Sequence, residues 1–339
     1  MRVHVNGRYL VQRLTGQQRY AYELVSRLAE RMEVVAPPTR AIGMRGHLWE
    51  QFALPGHVRD GLLWSPSTTG PLQVKRHVVT IHDCAFFDQA NCFSRSFAAW
   101  YQFLIPRLAR AVRSIITVSE FSKQRIVELC KVPEQAVHVV ASGVDSQFRR
   151  HSAEEIAATK ARLGLPDRYV LCVGSLEPRK NLKRLLAAWQ LIQPRLDDLS
   201  LVLAGARSHV FREAGLGAPP PQVHLAGYLE DDTLPAVYAG ALLFAYPSIY
   251  EGFGLPVLEA MASGVPVVTS NVTSLPEVAG DAAITVDPTS VQEIAAALER
   301  LANDERLRQV LVSRGIERAK RFTWEQSARH TWKVLEAAA

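Results

Sequence analysis

Residues 251–268 read Glu-Gly-Phe-Gly-Leu-Pro-Val-Leu-Glu-Ala-Met-Ala-Ser-Gly-Val-Pro-Val-Val, and their reading decides the architecture. The apolar run 242–246 upstream has strand composition, and residues 266–270 form a second such run. Between them, Pro256 suits a first helical turn, and the residues after it predict a helix over 256–263. Strand, glycine-bearing loop, helix and strand make one βαβ unit of a parallel sheet, and open sheets of this kind bind ligands beyond the carboxyl ends of their strands. Gly252 and Gly254 let the backbone approach a ligand closely, and N–H groups at a helix start favour a phosphate. Glu251 and Glu259 stand eight positions apart. A carboxylate beside a ribose can accept two vicinal hydroxyls, and one in the loop can hold sugar hydroxyls. The structural alternative for Glu259 is that it complements the positive end of the helix.

The same alternation extends in both directions. Residues 169–173, 199–204 and 224–226 read as strands, with helices at 182–192 and 234–240. The first half predicts strands at 2–5, 34–36, 62–64, 77–81, 114–118 and 137–140, separated by helical stretches at 17–31, 97–112 and 120–130. Several of these strands are unbroken apolar runs, as expected where helices cover both faces of a sheet. The polar segment 145–167, closed by Gly164-Leu165-Pro166, reads as a linker. The expectation is two Rossmann-like domains, residues 1–150 and 151–322. The helical residues 323–339 are long enough to cross back to the first.

A chain of 339 residues, 48% hydrophobic and 21% charged, accommodates two cores of ordinary globular composition. Cys84, Cys92, Cys130 and Cys172 show no CxxC spacing, which argues against a zinc site or disulfide framework and for a reducing cytoplasm. The N-terminus lacks a signal-peptide pattern and no apolar run is long enough to span a bilayer, so a soluble protein is expected. Residues 1–150 carry 20 basic and 11 acidic side chains, net +9, and the remainder is net −3. A basic half suits an anionic membrane, a phosphorylated acceptor or nucleic acid; an Arg-rich solvated surface needs no partner at all.

Two further loops carry candidate chemistry. Residues 174–181, Gly-Ser-Leu-Glu-Pro-Arg-Lys-Asn, deliver Arg179 and Lys180 between a strand and a helix, where Arg can grip phosphate bidentately and Lys adds a compact charge. As surface residues the two would simply be solvated. Residues 6–20 run from Asn-Gly-Arg-Tyr-Leu to Thr-Gly-Gln-Gln-Arg-Tyr, where Thr15 could cap the first long helix and Gly16 permits close approach of a phosphate or sugar. This loop lacks GxGxxG, which counts against a nicotinamide site. His82-Asp83 ends the strand 77–81. Such a histidine is often a structural hydrogen-bonder; its place at a strand end suggests positioning of a sugar or sensing of an acceptor. Asp83 would orient its ring or cap the next loop. Residues 94–113 mix aromatics with Arg, as an interfacial helix on anionic lipid would and as a helix packed on the first sheet would.

Taken with these loops, residues 251–268 resemble the signature of retaining glycosyltransferase family 4, and residues 174–182 resemble that family's donor-phosphate loop. Weaker likenesses fall at Ala141-Ser-Gly-Val-Asp145 and at Thr117-Val-Ser-Glu-Phe-Ser122. The resemblance covers nearly the whole chain. It implies the GT-B fold, two Rossmann-like domains facing each other across a cleft, with the acceptor on the first and a nucleotide sugar on the second. Glu259 would then bind the donor ribose and Glu251 the transferred sugar, while Arg179 and Lys180 neutralise the diphosphate. Gly252 would lie in the donor site, and backbone amides of Phe253, Gly254 and Leu255 would contact sugar and phosphate. Gly227, Tyr228 and Leu229 would lie against the base, and Gly16 would face the donor. His82, Asp83 and Glu251 are the candidate catalytic residues. Many relatives carry Arg where this chain has Ser175, so Arg179 and Lys180 would bear more of the charge. No DxD motif occurs, and neither a metal nor another cofactor is expected.

The resemblance further implies retention of anomeric configuration and suggests mannosyl transfer from GDP-mannose in surface polysaccharide or O-antigen synthesis. The expected acceptor is a glycan or a polyprenyl-diphosphate-linked oligosaccharide. The expected location is the cytoplasm, with peripheral contact at the inner face of an anionic membrane and no nucleic-acid partner. Two other readings stay open at this stage: a non-hydrolysing sugar-nucleotide epimerase of the same fold, and a basic nucleic-acid-binding protein.

Overall fold

The computed structural model describes residues 2–12, 14–38, 42–58, 60–174, 177–196, 198–205 and 220–339. The chain forms two units, the first made of Met1–Gly143 with Phe322–Ala339 and the second of Val144–Arg321. Each is a parallel sheet with helices between most of its successive strands, as the continuous apolar runs require.

In the first unit the strands are β1 (Val3–Asn6), β2 (Met32–Val35), β3 (Leu62–Ser65), β4 (His77–Thr80), β5 (Ser114–Thr117) and β6 (Val137–Val139), in spatial order β2-β1-β3-β4-β5-β6. Every residue of β1, β3 and β4 is buried, whereas the edge strand β2 is partly exposed. The helix Arg95–Ala111 turns Leu104, Ile105 and Leu108 into the core beside Val79 and Ile115, so packing on the sheet accounts for its apolar face. Phe103 stays half exposed on the other side, with the Arg107 guanidinium 3.8 Å from its ring centre.

The last helix, Trp324–Ala338, belongs to this same unit. Trp324 is buried against it, and Ser327 Oγ donates to the Ala141 carbonyl at 2.6 Å. Gly143 makes this seat: a Cβ there would lie 2.2 Å from the Trp324 nitrogen, a position only glycine leaves empty.

In the second unit the strands are β7 (Tyr169–Val173), β8 (Ser200–Ala204), β9 (Val223–Gly227), β10 (Leu243–Tyr246), β11 (Val267–Ser270) and β12 (Ala283–Val286), in spatial order β12-β11-β10-β7-β8-β9. β12 has no counterpart among the expected strands. It is a partly exposed edge strand of four residues, and so lacks the unbroken apolar run that marks a central one. The expected linker 145–167 is also corrected. Ser152 and Glu155 form a reciprocal capping box that starts the helix Ala153–Leu163, and Gly164 ends it in the left-handed conformation. Polarity there marks an exposed helix rather than free chain.

Candidate functional site

The strand order of the second unit reverses between β7 and β10: the chain moves outward to β8 and β9 on one side and to β11 and β12 on the other. Connections leaving a sheet in opposite directions open a crevice at that point, where open α/β sheets take their ligands. The two sequence-predicted loops are the ones that follow β7 and β10, so both glutamates and both cations gather at this reversal.

Asn181 holds the loops together. It takes the left-handed conformation at φ 61° before the helix Leu182–Ile192, and its Nδ2 donates to the carbonyls of Pro247 (2.9 Å) and Pro288 (2.6 Å). The Ile249 amide donates to the Arg179 carbonyl at 2.8 Å, a direct backbone tie between the same loops. Lys180 Nζ then lies 2.7 Å from Glu251 Oε1 and donates to the Tyr246 hydroxyl at 2.6 Å. Arg179 Nη1 stands 3.6 Å from Glu251 Oε2, and its Nε pairs with Glu177.

Glu251 is buried. Burial alone would raise its pKa, but Lys180 and Arg179 outweigh that and hold the carboxyl below its ordinary value, hence ionised. Tyr246 moves the opposite way, pushed well above its usual value by burial and by the Glu251 charge, so it stays a neutral hydroxyl. The result is a carboxylate fixed between two cations, three acceptor or donor centres within one loop pair.

The loop 247–254 is rigid for identifiable reasons. Ser274 Oγ lies 2.9 Å from the Glu251 carbonyl and 2.8 Å from that of Phe253, and the Glu251 amide donates to Thr273 Oγ1 at 3.3 Å. Gly254 adopts φ 111°, and a Cβ there would lie 2.8 Å from Leu275 Cδ2. The turn delivers the chain into the helix Leu255–Ala262, whose first N–H groups have no partner within the helix itself. Glu259 lies beyond the first turn of that helix, so the helix-end alternative does not describe it. It is buried and accepts a 2.8 Å hydrogen bond from the Tyr238 hydroxyl.

Gly227, Tyr228 and Leu229 leave β9 at the same carboxyl edge; Gly227 has φ 66°, Tyr228 is exposed and Leu229 is buried. Ser175 lies outside the described residues. Gly16, His82 and Asp83 belong to the first unit. Gly16 begins the helix Gly16–Arg27, but Thr15 does not cap it: its hydroxyl pairs with the Gln18 side chain instead. His82 Nε2 sits 2.9 Å from the Pro66 carbonyl, and the ring meets Tyr20 edge-on at 4.8 Å. Burial lowers its pKa, which keeps it neutral; since the Pro66 carbonyl can only accept, Nε2 carries the hydrogen and donates it in this bond. Asp83 Oδ1 accepts from the Ala85 amide at 2.9 Å, at the start of the following short helix. Ser122, from the segment 117–122, donates to the His82 carbonyl at 3.1 Å, which gives that motif a positioning role.

Sequence reasoning misses Asn181, Tyr238, Tyr246, Thr273 and Ser274, which aim the expected residues without carrying an obvious motif. Asn181 alone has a readable signal, since Asn before a helix is among the few non-glycine residues at ease with positive φ.

With this geometry in place, the comparisons with known proteins are concordant. The description "Glycosyltransferase Family 4" matches residues 50–148 and "Glycosyl transferases group 1" matches residues 155–318. The chain belongs to this family: it is a nucleotide-sugar-dependent glycosyltransferase of the GT-B fold. Membership decides for glycosyl transfer over the epimerase and nucleic-acid readings. Among its relatives, O-antigen chain mannosyltransferase B of Escherichia coli is 34% identical over 280 residues, 80% of this chain and 73% of that protein. The serotype-specific mannosyltransferase WbdA of Escherichia coli is 33% identical over 67% of this chain, which spans only 29% of that longer protein. The crystal structure of HepE from Anabaena in complex with UDP and glucose superposes with a TM-score of 0.79 at 17% identity, covering 99% of both chains.

Proposed function

We propose that the chain transfers mannose from GDP-mannose, with retention of configuration and without a metal, to a glycan or polyprenyl-diphosphate-linked acceptor in surface polysaccharide synthesis. The observation that carries this is the pairing of Glu251 with Lys180 and Arg179 at the strand-order reversal, beside the start of the helix that bears Glu259. Glu259 would hold the ribose hydroxyls and Glu251 the hydroxyls of the transferred sugar. Arg179, Lys180 and the helix start would offset the charge that grows on the departing diphosphate, the part a metal plays elsewhere. Attack from the face the leaving group vacates needs no enzymic nucleophile, since a phosphate oxygen of the donor can take the acceptor's proton. The names of the two Escherichia coli relatives support mannose.

A peripheral position at the cytoplasmic membrane face fits an apolar stripe in the first unit. Met44, Leu48 and Phe52 follow one another at helical spacing and are 60%, 52% and 73% exposed. No helix among the described residues is long and apolar enough to cross a membrane. Flotation with anionic and with neutral vesicles tests this: binding to the anionic ones that weakens with salt supports it, and no binding to either removes it. The function is tested by incubating the protein with GDP-mannose, UDP-glucose and ADP-glucose in EDTA and following transfer by NMR. An α-linked product from GDP-mannose alone is expected; an inverted anomer overturns the mechanism, and turnover only with another nucleotide overturns the donor.

A further inference from the structure

The first unit holds a buried polar cluster that none of these roles uses. Its strand order reverses between β1 and β3, the same kind of ligand-taking position as in the second unit. Asn6 ends β1, and its Oδ1 accepts from the Arg8 amide at 3.2 Å. Its Nδ2 donates to Glu50 Oε1 (2.6 Å) and Ser65 Oγ (3.2 Å). Glu50 is wholly buried; burial would raise its pKa, but the groups packed around it, the Arg8 charge among them, hold it below the ordinary value.

Arg8 is itself only 5% exposed, and among the described residues all of its side-chain hydrogen bonds run through one nitrogen. Nη1 reaches Glu50 Oε2 (3.2 Å), Thr69 Oγ1 (2.8 Å) and His47 Nδ1 (3.0 Å). Trp100 Nε1 also donates to His47 Nδ1, at 3.2 Å, so that ring nitrogen is an acceptor and the Arg8 contact is a donation. Nε and Nη2 of Arg8 meet no hydrogen-bond partner among the described residues, and neither is among the fully buried, unpartnered side-chain atoms there. These two nitrogens form the guanidinium edge that takes two oxygens of one oxyanion side by side. An arginine present only to neutralise Glu50 would turn that edge to the carboxylate. Here Glu50 receives a single N–H from Arg8, and the fork is left unpaired at the ligand end of the sheet.

We propose that Arg8 binds an oxyanion, phosphate or carboxylate, carried by the acceptor, with Asn6, Glu50 and Thr69 as positioning residues. This rests on the acceptor reading above. The donor's charge is already met by Arg179 and Lys180 in the second unit, and the net +9 of residues 1–150 suits an anionic acceptor.

The test follows the Arg8 Nε–H resonance, assigned by its loss in Arg8→Lys, during titration with inorganic phosphate, acetate and methyl α-mannoside. It should move with phosphate if the source is a phosphoryl group, or with acetate if a carboxylate, and not with the neutral glycoside. No movement with either anion overturns the proposal. For kinetics, Arg8→Met with Glu50→Gln removes both charges together, so neither is buried alone. Transfer to an alkyl-diphosphate glycoside and to a uronic-acid glycoside is compared with transfer to the neutral alkyl glycoside. The double variant should raise KM for the anionic acceptor about tenfold or more, with donor KM and nucleotide-induced thermal shift unchanged. A fall in kcat with both KM values unchanged would mark a merely structural pair and overturn it. If no nucleotide shifts the wild-type melting temperature, it is the donor site that fails, and the phosphate and acetate titrations still decide Arg8.

Discussion

Replacing Lys180 by Met probes the centre of the proposed donor site and its energetics together. Lys180 Nζ bonds Glu251 Oε1 at 2.7 Å, and the two side chains are 11% and 8% exposed. The substitution keeps the stem but leaves a buried carboxylate facing Arg179 alone, at 3.6 Å. Breaking a buried pair costs about 3–5 kcal/mol when nothing else compensates, and with Arg179 remaining about 2–3 kcal/mol is the expectation. For a unit of this size that lowers the melting temperature by roughly 4–12 °C. The cost must depend on pH. The folded pKa of Glu251 is depressed, so its contribution to stability is present above the unfolded value near 4.5 and is lost as pH falls through the folded value. The gap between wild type and Lys180→Met should therefore be wide at neutral pH and close below about 4.5, read by calorimetry. Adding Glu251→Gln to Lys180→Met should recover most of the stability, because no charge is then left buried, but none of the activity. Loss of leaving-group stabilisation should lower kcat by about 10²–10³-fold. A stability gap that is the same at both pH values would refute the assignment of Glu251 as a carboxylate held by Lys180.

Three further outcomes are expected. Glu259→Gln should preserve the acceptor for Tyr238 and hence the fold, yet abolish the thermal shift produced by the donor nucleotide, whereas Glu259→Ala also leaves the Tyr238 hydroxyl without its partner and costs about 1–3 kcal/mol more. Gly254→Ala should reduce transfer and lower stability by about 1–3 kcal/mol, measured by urea unfolding, because φ 111° is strained for any side chain and Leu275 occupies the space. Gly143→Ala should unseat the Trp324–Ala338 helix, which tryptophan fluorescence and limited proteolysis near residue 322 would report as a newly exposed C-terminal segment.

Much of this protein is legible in its local sequence. Buried parallel strands need continuous apolar runs, so β7, β8 and β10 declare themselves locally, and Pro256 and the paired glycines mark the loop and helix between β10 and β11. The charged residues Arg179, Lys180 and Glu251 are likewise readable as strand-end loop residues, and the structure brings them together. Other features are beyond the reach of local pattern. Helix 153–163 reads as linker because its sequence is polar, and only its capping box shows what it is. The order of strands, and so the position of both reversals, is a matter of pairing between segments far apart in the chain. That pairing decides that Lys180 reaches Glu251 across 71 positions, that Glu50 lies under Arg8, and that Trp324 closes on Gly143. Residue types and their periodicity determine which segments become strands and helices; long-range burial alone decides which charged groups must share one interior.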